Sequence, residues 1–194
     1  MAYTRPIREH SQRADSIVTS MLLHARGGKG QWQATDLNTL VAQAMTLAYH
    51  GQRAQDPASS IVFQTDYDAA AGKLHCLPQD LSRVFLNIAA NACFAVLEKK
   101  KTCRGDFTPT LTVRTRNLGE HVEVRIRDNG NGVPAAIRDR IFQPFFTTKP
   151  AGVGTGLGLS ISFDIIVRVH QGELRLETEE GSYTEFIILL PRGH

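Results

Sequence analysis

The sequence predicts an α+β domain, a two-layer α/β sandwich of helices on a largely antiparallel sheet, preceded by an N-terminal amphipathic helix. Three observations support this prediction. Three segments repeat apolar residues every three or four positions, which is typical of amphipathic helices. Other segments alternate apolar and polar residues, as half-buried strands do. Strands and helices occur in separate blocks along the chain, which is typical of an α+β architecture.

Composition limits the class of protein. The 194 residues are 42% hydrophobic, which suffices for one ordinary domain with an appendage or for one large domain. The 22 basic and 19 acidic residues nearly balance, so nothing favours nucleic-acid binding, and the basic run 99–101 is expected to be the solvated end of a helix. Cys76, Cys93 and Cys103 form no CxxC pair, which suggests a reducing compartment. A cytoplasmic domain is expected, whether or not a full-length protein is anchored in a membrane.

The N-terminal part is predicted to form a separate unit. Apolar residues recur at helical spacing over residues 5–26, which predicts a helix about 30 Å long. The glycine-rich run 27–30 ends it. We therefore expect residues 1–30 to be a helix with a linker and residues 31–194 to be the main domain. Asp36 is predicted to cap the next helix, which begins at Leu37.

The remaining elements follow from the same two periodicities and from the positions of Gly and Pro. The predicted strands are residues 60–66, 73–77, 110–116, 121–128, 173–177 and 184–190. The predicted helical segments are 79–98 after Pro78, a short turn at 135–141, and 156–170. Residues 52–60 and 143–156 are expected to be loops.

Two asparagines on the predicted helix 79–98 are candidate metal ligands. Asn87 and Asn91 are four residues apart and therefore lie on one face, at the edge of the apolar stripe. Amide oxygens can bind a hard cation such as Mg²⁺. The alternative is that both amides simply hydrogen-bond to loop backbone.

Two glycine-rich segments complete the pattern. Asp128 ends a predicted strand and precedes Gly130 and Gly132, so a carboxylate acceptor lies beside backbone that can be closely approached, although such a sequence also suits a plain turn. The segment 152–158 has glycine at every second position and leads into a helix. Glycines before a helix N-terminus favour phosphate binding, and a flexible loop is the alternative.

The segment 142–149 lies between these two. Its three phenylalanines predict a loop pinned by aromatic burial, and its hydroxyls and Lys149 are positioned to reach a phosphate. Alternatively, Lys149 is a solvated charge. Together, the acceptor, the metal-competent helix, the aromatic loop and the glycine segment are what a nucleoside triphosphate site requires.

These segments make the chain similar to the catalytic and ATP-binding domain of sensor histidine kinases. That domain belongs to the GHKL superfamily, shared with gyrase-type topoisomerases, MutL and the large heat-shock chaperones, and has the Bergerat ATP-binding fold. The N box resembles residues 87–92, the first glycine box 128–132, the F box 142–146 and the second glycine box 154–160. The resemblance covers residues 36–191 and is greatest to nitrogen-regulator-type kinases, which share the short segment 144–149.

The resemblance implies roles for individual residues. Asp128 would accept a hydrogen bond from the adenine amino group, Asn91 would bind Mg²⁺, and Asn87 and Lys149 would contribute to catalysis. The implied ATP-binding residues are Asn87, Asn91, Asp128, Gly130, Gly132, Phe145, Thr148, Gly154, Thr155, Gly156, Leu157 and Gly158. The chain departs from the family at Phe94, where many members have a lysine, and Lys149 is a candidate for the missing charge.

The residue at position 87 separates kinases from hydrolases. The resemblance implies a glutamate at this position in the hydrolytic relatives, where it can act as a general base. The amide of Asn87 cannot take a proton near neutral pH. Transfer to a histidine outside this domain is therefore favoured. The family's acceptor histidine precedes an acidic residue, and neither His10 nor His24 does. Residues 1–30 resemble the second helix of the dimerising hairpin, so we expect the C-terminal fragment of a longer kinase.

The resemblance also implies partners. These are ATP with Mg²⁺, a histidine-bearing helical bundle in cis or in trans, the receiver domain of a response regulator, and a second copy in a full-length homodimer. Two other functions stay open at this point. One is a gyrase- or MutL-like ATPase, and the other is a non-catalytic nucleotide-binding module used for docking.

Overall fold

The computed structural model describes residues 30–103, 105–150 and 153–193. The strands are β1 (Gln33–Asp36), β2 (Val62–Asp66), β3 (Lys73–Cys76), β4 (Thr110–Asn117), β5 (His121–Asp128), β6 (Glu173–Glu179) and β7 (Tyr183–Pro191). The α-helices are α1 (Leu37–Gln55), α2 (Pro78–Thr102) and α3 (Gly158–Phe163), the last continued by a wider helical turn over Asp164–Val169. The helix predicted over 5–26 and the division at residue 30 lie outside the described residues and stay predictions.

The main sheet has five strands in the order β2-β4-β5-β7-β6. β2 pairs with β4 in parallel, and the other neighbours in this sheet are antiparallel. A separate antiparallel ribbon joins β1 to β3, with Gln33 opposite Cys76. The predicted α+β two-layer sandwich is confirmed.

The core lies between the sheet and the helices α1 and α2. Leu111, Val113, Val124 and Ile126 point from β4 and β5 to the helical layer and are at most 1% exposed. Because successive strand residues face opposite sides, the residues between them lie on the outer face. By length and hydropathy α2 would also suit a membrane span, but half of that apolar stretch is buried inside the domain, as in the core helix of a globular protein.

Of three helix boundaries compared with the prediction, one is confirmed and two lie at other residues. Asp36 caps α1 as expected, since its carboxylate accepts a hydrogen bond from the Thr39 N–H at 2.7 Å. α1 continues to Gln55, so the loop predicted from residue 52 begins one turn late. α3 starts at Gly158 and not at Gly156, because Gly156 has a φ of 70°, which a right-handed helix does not allow.

Candidate nucleotide-binding site

A cavity of about 620 Å³ opens between α2, the end of β5 and the segment that leads into α3. This volume is in the range of small-molecule sites, about 300–1,000 Å³. Of the residues predicted from sequence, those that line it are Asn87, Asn91, Asp128, Gly132, Thr148, Lys149, Gly154, Thr155, Gly156 and Gly158. Residues from four separate stretches of chain therefore meet in one place.

Three predicted site residues lie apart from the cavity lining. Gly130 packs beside Asp128 and donates its N–H to that carboxylate. Leu157 is 8% exposed and belongs to the hydrophobic core. Phe145 is 49% exposed and has a φ of 65°, an uncommon conformation for a residue with a large side chain. Nucleotide contacts from these three stay predictions.

Asp128 is a buried carboxylate at the end of β5. It is 3% exposed, and one of its oxygens accepts the Gly130 N–H at 2.8 Å. Burial raises the pKa of Asp128 from 3.8 to about 7, although the Gly130 hydrogen bond and the positive charge of Lys99 act in the opposite direction. The pKa of this carboxyl group therefore lies close to neutral pH. A ligand that donates a hydrogen bond to it would favour its ionised form.

The two glycines after Asp128 are required by packing. A Cβ at Gly130 would lie 2.7 Å from the Asp128 carboxylate and 2.9 Å from the Cβ of Ala95. Gly132 has a φ of 67°, and a Cβ there would overlap the carbonyl oxygen of Glu179. The glycines thus let the 128–132 segment lie against α2 on one side and against the β6–β7 turn on the other.

The two asparagines of α2 are used differently. The Asn87 amide donates to the Gly158 carbonyl at 3.1 Å and to the Ser162 hydroxyl at 3.4 Å, which ties α2 to α3. The amide N–H of Asn87 thus makes the kind of backbone bond weighed as the alternative, and a role of Asn87 toward a nucleotide stays a prediction. The Asn91 side-chain oxygen instead accepts a hydrogen bond from the Lys149 ammonium at 2.7 Å. One amide supports the fold, and the other presents an oxygen to a cation in the cavity.

Lys149 is part-buried and not a solvated charge. Its ammonium lies 4.6 Å from the centre of the Phe94 ring, a cation–π distance, in addition to its bond to Asn91. Burial lowers the pKa of Lys149 from its ordinary value. A positive charge therefore lies against the Phe94 ring at the edge of the cavity.

The phenylalanines of the 142–146 segment divide into two groups. The ring of Phe142 packs against Phe163 and Phe186, with centroid distances of 5.4 and 6.4 Å. The Arg140 guanidinium lies 4.6 Å from the centre of the Phe146 ring. The predicted aromatic pinning is thus present at Phe142 and Phe146, and it does not extend to the exposed Phe145.

Lys99 corrects the prediction of a solvated basic run. Its ammonium donates to the carbonyl oxygens of Asn129, Gly130 and Gly181 at 2.9, 3.0 and 2.9 Å. Positions 87, 91, 95 and 99 follow at four-residue steps and so share one side of α2, but the loops that Lys99 meets lie 30 to 82 residues away along the chain.

Within residues 30–103, 105–150 and 153–193, no group of three or more His, Cys, Asp and Glu side chains is placed to hold a metal ion. The oxygen donors that line the cavity are amide, hydroxyl and backbone groups together with the carboxylates of Glu98 and Asp128. A divalent cation bound here would need further oxygen ligands from an anionic ligand and from water.

Comparison with known proteins agrees with this geometry. Residues 76–194 match the family described as histidine kinase-, DNA gyrase B-, and HSP90-like ATPase. Sporulation kinase E of Bacillus subtilis (strain 168) is 31% identical over 189 residues, which are 97% of this chain and 24% of that protein. The signal transduction histidine-protein kinase AtoS of Escherichia coli (strain K12) is 28% identical over 178 residues, covering 91% of this chain and 27% of AtoS. The chain thus spans about a quarter of these relatives.

Solved structures show the same fold. The nucleotide-free catalytic domain of histidine kinase ThkA is 26% identical, with a TM-score of 0.67 over 84% of this chain and 96% of that domain. The mycobacterial sensor histidine kinase MprB, at 23% identity and a TM-score of 0.63, agrees in fold. The chain therefore belongs to the family of histidine kinase-, DNA gyrase B- and HSP90-like ATPases, and its domain is of the ATP-binding catalytic type found in sensor histidine kinases.

Proposed function

We propose that this chain binds ATP with Mg²⁺ and transfers the γ-phosphoryl group to a histidine on a helical bundle, from which it passes to a response-regulator aspartate. The observation that carries the proposal is one cavity whose lining brings together the buried acceptor Asp128 from β5 and Asn91 from α2, beside the cation Lys149. The kinase names of the relatives support the same reaction class.

The adenine end of the site is built around Asp128. When ionised, its carboxylate can accept hydrogen bonds but cannot donate them. It can therefore accept a hydrogen bond from the exocyclic amino group of adenine. Guanine has a carbonyl oxygen at the same ring position, so two acceptors would face each other there. Since Asp128 is buried, the full cost of such a mismatch would be felt.

The phosphate end combines Asn91, Lys149 and the glycine segment before α3. Asn91 fits a Mg²⁺ ligand, because its amide oxygen lies in the cavity lining, and the Lys149 ammonium that it now accepts from would move toward the phosphates when the ion binds. When bound, the ion would neutralise charge on the phosphates. Lys149 adds a second positive charge, and Thr148, Gly154 and Thr155 line the same part of the cavity.

The chemistry assigned to this chain is positioning and charge stabilisation. Asn87 cannot accept a proton from water, and its amide N–H already bonds to α3. Among the cavity-lining residues, Glu98 and Asp128 are the carboxylates, and Glu98 lies eleven residues, or about 16 Å, along α2 from Asn87. Without a base at the phosphate end, water attack is disfavoured, and a nucleophile brought from outside completes the reaction.

The test is phosphoryl transfer in trans. The chain is incubated with γ-labelled ATP and Mg²⁺, alone and with a separately produced histidine-bearing dimerisation hairpin of a sensor histidine kinase. Acid-labile label on the hairpin and none on the chain is expected. Stable label on His10 or His24 would contradict an acceptor outside this chain. Steady phosphate release would favour the ATPase alternative, and tight ATP binding without transfer would favour a docking module.

The wider assignments are part of the same proposal. Residues 1–30 are assigned to the end of a dimerising hairpin and 31–194 to the catalytic domain, on sequence periodicity and the glycine run 27–30. A homodimeric, cytoplasmic catalytic unit with a response-regulator partner is proposed by analogy with the relatives named as kinases. Limited proteolysis of the chain with and without Mg-ATP tests the division, since a fragment beginning near residue 31 that still binds ATP is expected.

A further inference from the structure

The ammonium group of Lys99 is saturated by three backbone carbonyls. A lysine carries three N–H donors, and those of Lys99 meet Asn129, Gly130 and Gly181 at 2.9 to 3.0 Å. The first two carbonyls belong to the loop that follows Asp128, and the third belongs to the β6–β7 turn. Lys99 thus joins the end of α2 to two loops that are distant from each other in sequence.

The same two loops also contact each other directly. The Gly181 N–H donates to the Asn131 carbonyl at 2.7 Å. Gly132 is packed so closely on the turn that a Cβ would overlap the Glu179 carbonyl. The 129–132 loop is therefore held on one side by Lys99 of α2 and on the other side by the β6–β7 turn.

The loop holds one oxygen of the Asp128 carboxylate, and the Thr184 backbone on β7 also bonds to this side chain. One Asp128 oxygen accepts the Gly130 N–H at 2.8 Å, while the Gly130 carbonyl is held by Lys99 at 3.0 Å. Two successive contacts thus lead from the Lys99 ammonium to the acceptor that faces the cavity. Lys99 itself does not line the cavity.

We infer that Lys99 is a positioning residue for base recognition: its ammonium fixes the loop after Asp128 and so sets the direction in which that carboxylate meets the base. The inference rests on the proposed ATP-binding function. It assigns a role in nucleotide selectivity to a residue that does not contact the nucleotide.

The positive charge of Lys99 also acts on Asp128, because it favours the ionised form of that carboxylate. The charged or titratable groups that act on Asp128 are Lys99 and Cys93 from α2 and Arg127 from β5. The Cys93 thiol is neutral, since burial raises its pKa to about 12. Lys99 and Arg127 lower the pKa of Asp128 against the effect of burial. Removing Lys99 is therefore expected to leave Asp128 protonated to a higher pH.

Lys100 provides a matched control. It is exposed and lies one position further along α2, about 100° around the helix from Lys99. Lys99→Met and Lys100→Met remove the same charge from nearly the same height of the helix. A general effect of net charge or helix propensity would appear in both variants, whereas loss of the loop contacts would appear in Lys99→Met alone.

The experiment measures Mg-ATP and Mg-GTP binding by calorimetry from pH 5.5 to 9 for the wild-type chain, Lys99→Met, Lys99→Arg and Lys100→Met. For Lys99→Met we expect a loss of ATP affinity at pH 7.5 of about tenfold, a smaller ATP/GTP ratio, and a midpoint of the pH profile about one unit higher. Lys99→Arg keeps the charge and should keep the midpoint. Lys100→Met should match wild type.

A second readout needs no nucleotide. The carboxyl ¹³C shift of Asp128 is titrated in the nucleotide-free chain, and its midpoint should rise in Lys99→Met and not in Lys100→Met. If Lys99→Met does not fold, Lys99→Gln keeps N–H donors without the charge and should show the same rise. The inference is overturned if Lys99→Met lowers the melting temperature but keeps the wild-type midpoint and ATP/GTP ratio. Failure of the wild-type chain to bind Mg-ATP would instead overturn the proposed function, while the ¹³C titration still reports the coupling of Lys99 to Asp128.

Discussion

Asp128→Asn is expected to stabilise the nucleotide-free chain at alkaline pH while removing its preference for adenine. Asparagine keeps the shape of the side chain and an oxygen that can accept the Gly130 N–H. It removes the charge, which is the group that burial penalises at this 3% exposed position. A side chain placed for binding thus carries a cost in the absence of its ligand.

The size of this effect follows from the pKa of Asp128. Because the folded-state pKa of about 7 lies above the ordinary 3.8, this group contributes stability that is fully present below pH 3.8 and is lost as the pH rises through about 7. A difference of about 3 in pKa, at 1.36 kcal/mol per unit, corresponds to a loss of the order of 4 kcal/mol. Of this, about 2 to 3 kcal/mol falls between pH 5 and pH 8.

The assay is urea unfolding of nucleotide-free wild type and Asp128→Asn at pH 5 and pH 8. The variant should gain about 2 to 3 kcal/mol relative to wild type between the two pH values. Asp139→Asn, at an exposed carboxylate, is the control and should follow wild type. Parallel pH dependences for wild type and Asp128→Asn would refute the argument that burial of this charge destabilises the empty site. Retained discrimination between ATP and GTP by Asp128→Asn would refute its role in base recognition.

Three further predictions concern the rest of the site. Asn91→Ala should leave the fold intact and lose the Mg²⁺-dependent part of ATP binding in calorimetry, and an unchanged titration would contradict the metal assignment. Lys149→Met should weaken ATP about tenfold and leave adenosine binding unchanged, since only the phosphates meet its charge. Gly132→Ala should lower the free energy of unfolding by about 2 kcal/mol or more, because φ is 67° and a Cβ would overlap the Glu179 carbonyl. Gly119→Ala, with a φ of 84° but no atom within 4 Å, should lose only about 1 kcal/mol.

Elements set by local patterns were predictable from the sequence. The Asp36 cap depends on a side chain and a backbone N–H three residues apart, and the β4–β5 hairpin depends on alternation around a short turn. The Asn87 and Asn91 pair depends on helical spacing alone. In each case the interacting groups are neighbours along the chain, so the sequence contains the whole signal.

Features set by distant partners were not predictable in the same way. β1 has four residues with no clear alternation, and it becomes a strand because β3 pairs with it about forty residues later. Lys99 looked like one of three solvated lysines until two loops, one of them 82 residues away, were brought to it. Phe145 is exposed and has a positive φ, neither of which its residue type indicates.

One face of α2 organises the site from end to end. Asn87, Asn91, Ala95 and Lys99 follow at four-residue steps over about 18 Å, and each meets a different part of the chain. Asn87 bonds to α3 and Asn91 meets Lys149, while Ala95 packs on Gly130 and Lys99 holds the loop of Asp128. Because the opposite face of α2 is the centre of the core, any shift of the helix moves the phosphate end and the base end together. Rigid burial of α2 is thus what keeps two chemically different ends of the site at a fixed separation.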